Sequence, residues 1–142
     1  MMVGFTWIQV VLVLMLMLQF TVTGQFHSIT VILGKDVILP CGNVRHDQEK
    51  CNRTAWLFSG SGNTVMLVQL GQINTESNSK SDRLSVTERC SLIIKKVTEE
   101  DDGRYSCRQF DKSGRQLGSD SGFDLSVVPS EYLHHHVFTS IN

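Results

Sequence analysis

Past residue 25 the chain carries no long helical period. It offers eight short β-rich runs, at 28–33, 36–41, 54–58, 64–70, 83–86, 90–97, 103–109 and 123–128, separated by Gly, Ser, Asn and Asp. In most of them apolar residues return at every second position: Val37, Leu39 and Cys41; Trp56 and Phe58; Leu92 and Ile94; Tyr105 and Cys107; Phe123, Leu125 and Val127. That period sets one face of a strand against a core and leaves the other in water. So many half-buried strands within roughly 100 residues, punctuated by turn formers, predict an all-β sandwich of two antiparallel sheets. The length of 142 residues suits one such domain.

An uncharged stretch precedes that domain. The first cation is Lys35 and the first acid Asp36. From Trp7 to Phe20 the chain reads WIQVVLVLMLMLQF, polar only at Gln9 and Gln19. This run is short for a membrane span, which needs about 20 residues, and suits the apolar segment of a signal peptide. Val22 and Gly24 then supply the small residues of a cleavage site before Gln25, although the segment ahead of the apolar run has no basic side chain. The expected organisation is a signal peptide over 1–24, a domain over 25–128 and a disordered tail over 129–142 (PSEYLHHHVFTSIN). No membrane span is expected beyond the leader. The expected location is secreted, or on the extracellular face of the plasma membrane.

Charge and cysteine usage narrow the chemistry. Lys+Arg 13 against Asp+Glu 14 leaves a net charge of −1, so no field draws in nucleic acid. The 4 cysteines, Cys41, Cys51, Cys90 and Cys107, all follow the leader. In an oxidising compartment they read as two disulfides, with three possible pairings that counting alone does not resolve. His134-His135-His136 is the one histidine cluster, and three adjacent histidines cannot all face one metal on a regular element. The acidic run Glu99–Asp102 lacks the alternating ligand spacing of a calcium loop. No G-x-S-x-G, H-E-x-x-H or P-loop occurs. We therefore expect no catalytic residues, no metal, no cofactor and no enzymatic activity.

The segment Asp101-Asp102-Gly103-Arg104-Tyr105-Ser106-Cys107 resembles the D-x-G-x-Y-x-C signature of the immunoglobulin superfamily. Cys41 stands 66 residues before Cys107, the long spacing of V-type domains, and Trp56 falls where that family keeps a tryptophan against the disulfide. The resemblance covers about residues 26–128 and includes Leu92-x-Ile94-x-x-Val97. It implies a V-type sandwich with a Cys41–Cys107 bridge, a core containing Trp56, Tyr105 and Leu92, and a Tyr105 hydroxyl turned back to an upstream backbone group. It also implies an ion pair between Asp101 and Arg83. Closing a loop of this length contributes about 4 kcal/mol on the chain-entropy account. The F-G-x-G stretch with which antigen receptors pair two V domains is missing; Ser119-Asp120-Ser121-Gly122-Phe123 stands in its place. The chain is thus more similar to the V-type ectodomains of innate receptors, such as novel immune-type receptors and relatives of the polymeric immunoglobulin receptor.

In a V-type sandwich the loop holding Cys51 and the turn before Cys90 lie at one end, so the resemblance also implies a Cys51–Cys90 bridge. Asn52-Arg53-Thr54 is a glycosylation sequon, with Asn52 the acceptor. Recognition in such domains uses end loops. Loop 42–53 offers Arg45 and His46; loop 110–121 offers Phe110 and Arg115, residue types that make interface hot spots. The function implied is an extracellular binding module of immune recognition, or a receptor ectodomain, that takes a protein ligand through these loops. The alternative is a soluble decoy, a carrier or a cell-adhesion domain.

Overall fold

The computed structural model describes residues 6–14, 25–42, 44–76 and 78–132. Val22 and Gly24, expected at a cleavage site, and the histidines 134–136 lie outside the described residues. Residues 6–14 form a solvent-exposed helix, and among the described residues no helix is long and apolar enough to cross a membrane.

Among the described residues nine strands follow in order: β1 (Phe26–Ile32), β2 (Val37–Leu39), β3 (Thr54–Ser59), β4 (Thr64–Gln69), β5 (Gln72–Ile73), β6 (Leu84–Val86), β7 (Leu92–Ile94), β8 (Gly103–Phe110) and β9 (Gln116–Val128). They build two sheets, one ordered β1-β9-β8-β3-β4-β5 and one ordered β2-β7-β6. Pairing is antiparallel except at one edge. There β1 runs parallel to β9, from Phe26 opposite Gly122 to Ile32 opposite Val128. The alternation in the sequence becomes burial: Val37 and Leu39 face inward while Ile38 between them is 58% exposed. Trp56, Leu67, Val68, Leu92, Ile94 and Tyr105 are shut off from solvent completely and fill the space between the sheets.

Three expected boundaries shift. Residues 116–121, expected in a loop, are strand. Phe110 pairs with Gln116 and Gln109 with Leu117, so the connection shrinks to residues 111–115. The cause is local: the Asp111 carboxylate accepts the N–H groups of Ser113 and Arg115, and the Asp111 N–H donates to the Arg115 carbonyl, which closes a tight turn. Cys90 does not open a strand. It sits in a left-handed turn at φ 67, and β7 begins at Leu92. The tail begins with a helical turn over residues 130–132, where the Tyr132 N–H donates to the Pro129 carbonyl. In addition, β9 bulges without an F-G-x-G stretch. Its register slips between Cys107 and Gln109, and Gly118 on the bulged strand takes φ 67.

Gly103 is a position only glycine fills. At φ 149 it leads into β8, and a Cβ there would press on the Phe58 ring and the Ser59 carbonyl.

Candidate binding surface

The middle of the sandwich is clasped by Cys41–Cys107, with Cα atoms 5.6 Å apart. Trp56 lies directly opposite Cys107 in the β3–β8 ladder and opposite Val68 on the other side. Its indole N–H donates to the Cys90 carbonyl at 3.0 Å. The Tyr105 hydroxyl donates to the Asp101 carbonyl at 2.7 Å. Burial pushes the Tyr105 phenol far above its usual range, so this donor stays protonated at any physiological pH.

Asp101 is fully buried yet charged. Its carboxylate takes Arg83 Nη1 at 2.8 Å and Nη2 at 2.9 Å, Lys80 Nζ at 2.7 Å and the Thr98 N–H at 2.8 Å. Lys80, itself 5% exposed, also donates to the Glu100 carbonyl and lies 4.3 Å from the centroid of the Phe58 ring. Burial alone would raise the Asp101 pKa, but the bonds from Arg83, Lys80 and Thr98 outweigh it and hold it at about 2, below the ordinary 3.8. A depressed carboxyl stabilises the fold fully above its unfolded pKa and loses that contribution as pH falls through the folded one. We expect the domain to lose about 2 kcal/mol of stability between pH 5 and pH 2 from this group. Denaturant midpoints measured across that range check it. An Asp101→Asn variant whose midpoint falls as steeply as the wild type's would assign the loss elsewhere.

At one end of the sandwich a second bridge, Cys51–Cys90, with Cα atoms 5.5 Å apart, ties loop 42–53 to the turn before β7. Both cysteines are in left-handed backbone, at φ 58 and φ 67. Beside it the Gln48 side-chain amide uses its full capacity. Its nitrogen donates to the Arg45 carbonyl and to Gln109 Oε1, and its oxygen accepts from the Arg53 N–H and the Thr54 hydroxyl. Gln109, 6% exposed, completes the set by donating to Thr54 Oγ1 at 2.8 Å. The loop is held by a covalent link on one side and a closed polar network on the other.

Between β3, β4 and the turn at 111–115 this scaffold leaves an open groove of about 500 Å³. Ala55, Met66, Leu70 and the half-buried ring of Phe110 give it an apolar surface, and Asn52, Arg53 and Lys112 add polar groups. Arg53 is anchored to Asp47 at 3.2 Å. The other sequence-derived candidates do not join Phe110 here. Arg45 and His46 line a separate depression of about 560 Å³ with Glu88 and Arg89, and Arg45 pairs with Asp47 at 3.3 Å. Arg115 is exposed at the turn and lines neither cavity. Among the described residues no cluster of His, Cys, Asp or Glu is arranged to hold a metal ion.

The profile of the immunoglobulin V-set domain matches residues 25–128. The chain belongs to the immunoglobulin V-set family. None of the curated proteins matches it in sequence. Among solved structures it is similar to the solution structure of the first Ig-like domain from human CD48 antigen, with a TM-score of 0.58 and 19% sequence identity. That match covers 75% of this chain and 85% of the other, and the likeness is one of fold.

Within this V-set domain the disulfide cysteines, Trp56, Tyr105, Leu92, Arg83 and Asp101 could be singled out from the motif. Lys80, Gln48 and Gln109 could not. Lys80 falls in the polar stretch NTESNSK, where nothing separates it from solvated residues, and a neutral amide carries no pattern of its own. The one available signal was that Gln109 follows Cys107 by two residues, which places it on the inward face of β8.

Proposed function

We propose that this V-set domain is an extracellular binding module of immune type that takes a protein ligand at the loop end of the sandwich, with the Phe110 groove as the contact. The observation that carries this reading is a half-buried aromatic ring presented in an open, mostly apolar groove whose walls are already fixed by Cys51–Cys90 and the Gln48 network. A pre-ordered wall spares the ordering cost of association, and a partly desolvated aromatic is the type of side chain on which binding energy concentrates. V-set domains typically bind rather than catalyse, and disulfide-linked V-set domains are typical of the cell surface and extracellular space. Arg115, at the turn beside the groove, serves as a rim contact, and Arg45 and His46 belong to a second, peripheral face.

The test is a screen of the full chain against displayed cell-surface proteins, followed by substitution. Phe110→Ala should weaken the captured interaction by at least about 30-fold, or about 2 kcal/mol, with an unchanged unfolding midpoint. Arg45→Ala should cost less than about threefold, as a rim charge does. A ligand whose affinity ignores Phe110 and depends on Arg45 and His46 would move the site to the other depression and refute the groove.

A further inference from the structure

The sequon and the fold make opposing demands on the same side chain. Asn52 is exposed at the edge of the groove, but Thr54, whose hydroxyl completes the acceptor motif, is fully buried. Its Oγ1 donates to Gln48 Oε1 at 2.8 Å and accepts from Gln109 Nε2 at 2.8 Å, and its backbone pairs with Gln109 in the β3–β8 ladder. The chain around it is folded into two consecutive turns: the Asn52 N–H donates to the Glu49 carbonyl and the Thr54 N–H to the Cys51 carbonyl, both at 3.0 Å. Lys50 and Cys51 hold left-handed backbone, at φ 51 and φ 58, and Cys51 is fixed to Cys90. The motif requires Ser or Thr at its third position because the transferase reads that hydroxyl beside the acceptor amide. In the folded domain that hydroxyl gives its proton to Gln48, accepts from Gln109 and, being fully buried, has no path to an enzyme.

We infer that Asn52 is an N-glycosylation acceptor only while the chain is unfolded, and that docking of Thr54 with closure of Cys51–Cys90 shuts the site. The step is a group transfer. Asn52 Nδ2 bonds to the anomeric carbon of a lipid-linked oligosaccharide, the bond from that carbon to the lipid pyrophosphate breaks, and the amide gives up one proton to balance the leaving pyrophosphate. Transfer thus competes with folding. Because Asn52 stands on the edge of the groove, molecules that fold first keep it bare and molecules modified first carry a sugar chain beside Phe110. The inference rests on export into the secretory pathway, not on the identity of any ligand.

The experiment separates transfer from folding in time. The full chain is translated into microsomes depleted of the lipid-linked oligosaccharide, and the donor is restored afterwards. In one arm the chain oxidises before the donor returns; in the other it is held reduced until then. Modification is read as a glycosidase-sensitive mobility shift. The reduced arm should be modified at least about tenfold more than the oxidised arm, since reaction of the folded chain needs a rare local opening. Cys90→Ser, which leaves the sequon untouched, should behave like the reduced arm without reductant, and Asn52→Gln should abolish the shift. Equal modification of both arms would overturn the inference, as would a protease-protected chain that is never modified. A chain that is not protease-protected would instead overturn export, and the inference with it.

Discussion

Trp56→Ala should lower the stability of the domain by about 3–5 kcal/mol, a large part of the 5–15 kcal/mol that holds a typical domain together. The indole is fully buried, packed in register between Val68 of β4 and Cys107 of β8, and it is the largest of the completely enclosed side chains. Its removal opens a void across the clasp and leaves the Cys90 carbonyl without its 3.0 Å donor. Trp56→Phe restores most of the volume but not the N–H, so its cost should be smaller, about 1–3 kcal/mol. Equilibrium denaturation, or the amount of folded protein exported from cells, reads the difference. A wild-type midpoint for Trp56→Ala would contradict the core described above.

A second large loss should follow Asp101→Asn, again about 3–5 kcal/mol. The substitution keeps the shape of the side chain but strands a 5%-exposed lysine beside the Phe58 ring and removes the paired acceptor of Arg83. The cost comes from uncompensated charge, and that origin can be read directly. Lys80→Met combined with Asp101→Asn should be more stable than Asp101→Asn alone, because it takes the buried cation away with its partner. If the double variant were the less stable of the two, the loss would come from packing, not from charge.

The sequence made legible what obeys a period or a motif. Strand alternation gave the inward faces, and the resemblance around Tyr105 and Cys107 placed the core pair, the corner and the Arg83–Asp101 contact. It was silent where an interaction is assembled across distant segments by residues with no signature. Lys80 reaches Asp101 from a polar connection with no periodicity, and Gln48 meets Gln109 only because loop 42–53 folds down onto β8. The groove shows the same limit. Met66 and Leu70 read as ordinary apolar residues of a strand, and only the pairing of β4 with β3 brings them near Phe110. The sequence also did not show that Phe110 lines one depression while Arg45 and His46 line another and Arg115 lines neither.

The last strand sets an orientation for the whole module. From Gln116, beside the turn that borders the groove, β9 runs 13 residues, through its bulge at Gly118, to Val128. At about 3.3 Å per residue a strand of this length spans at most roughly 40 Å, and the bulge shortens it, so its two ends still lie far apart. A label, bead or neighbouring domain joined after Val128 therefore acts as a pedestal, with Phe110 at the far summit. Immobilisation through the carboxyl end should leave the proposed Phe110 contact pointing away from the support, whereas attachment at Lys112 would press it against the support.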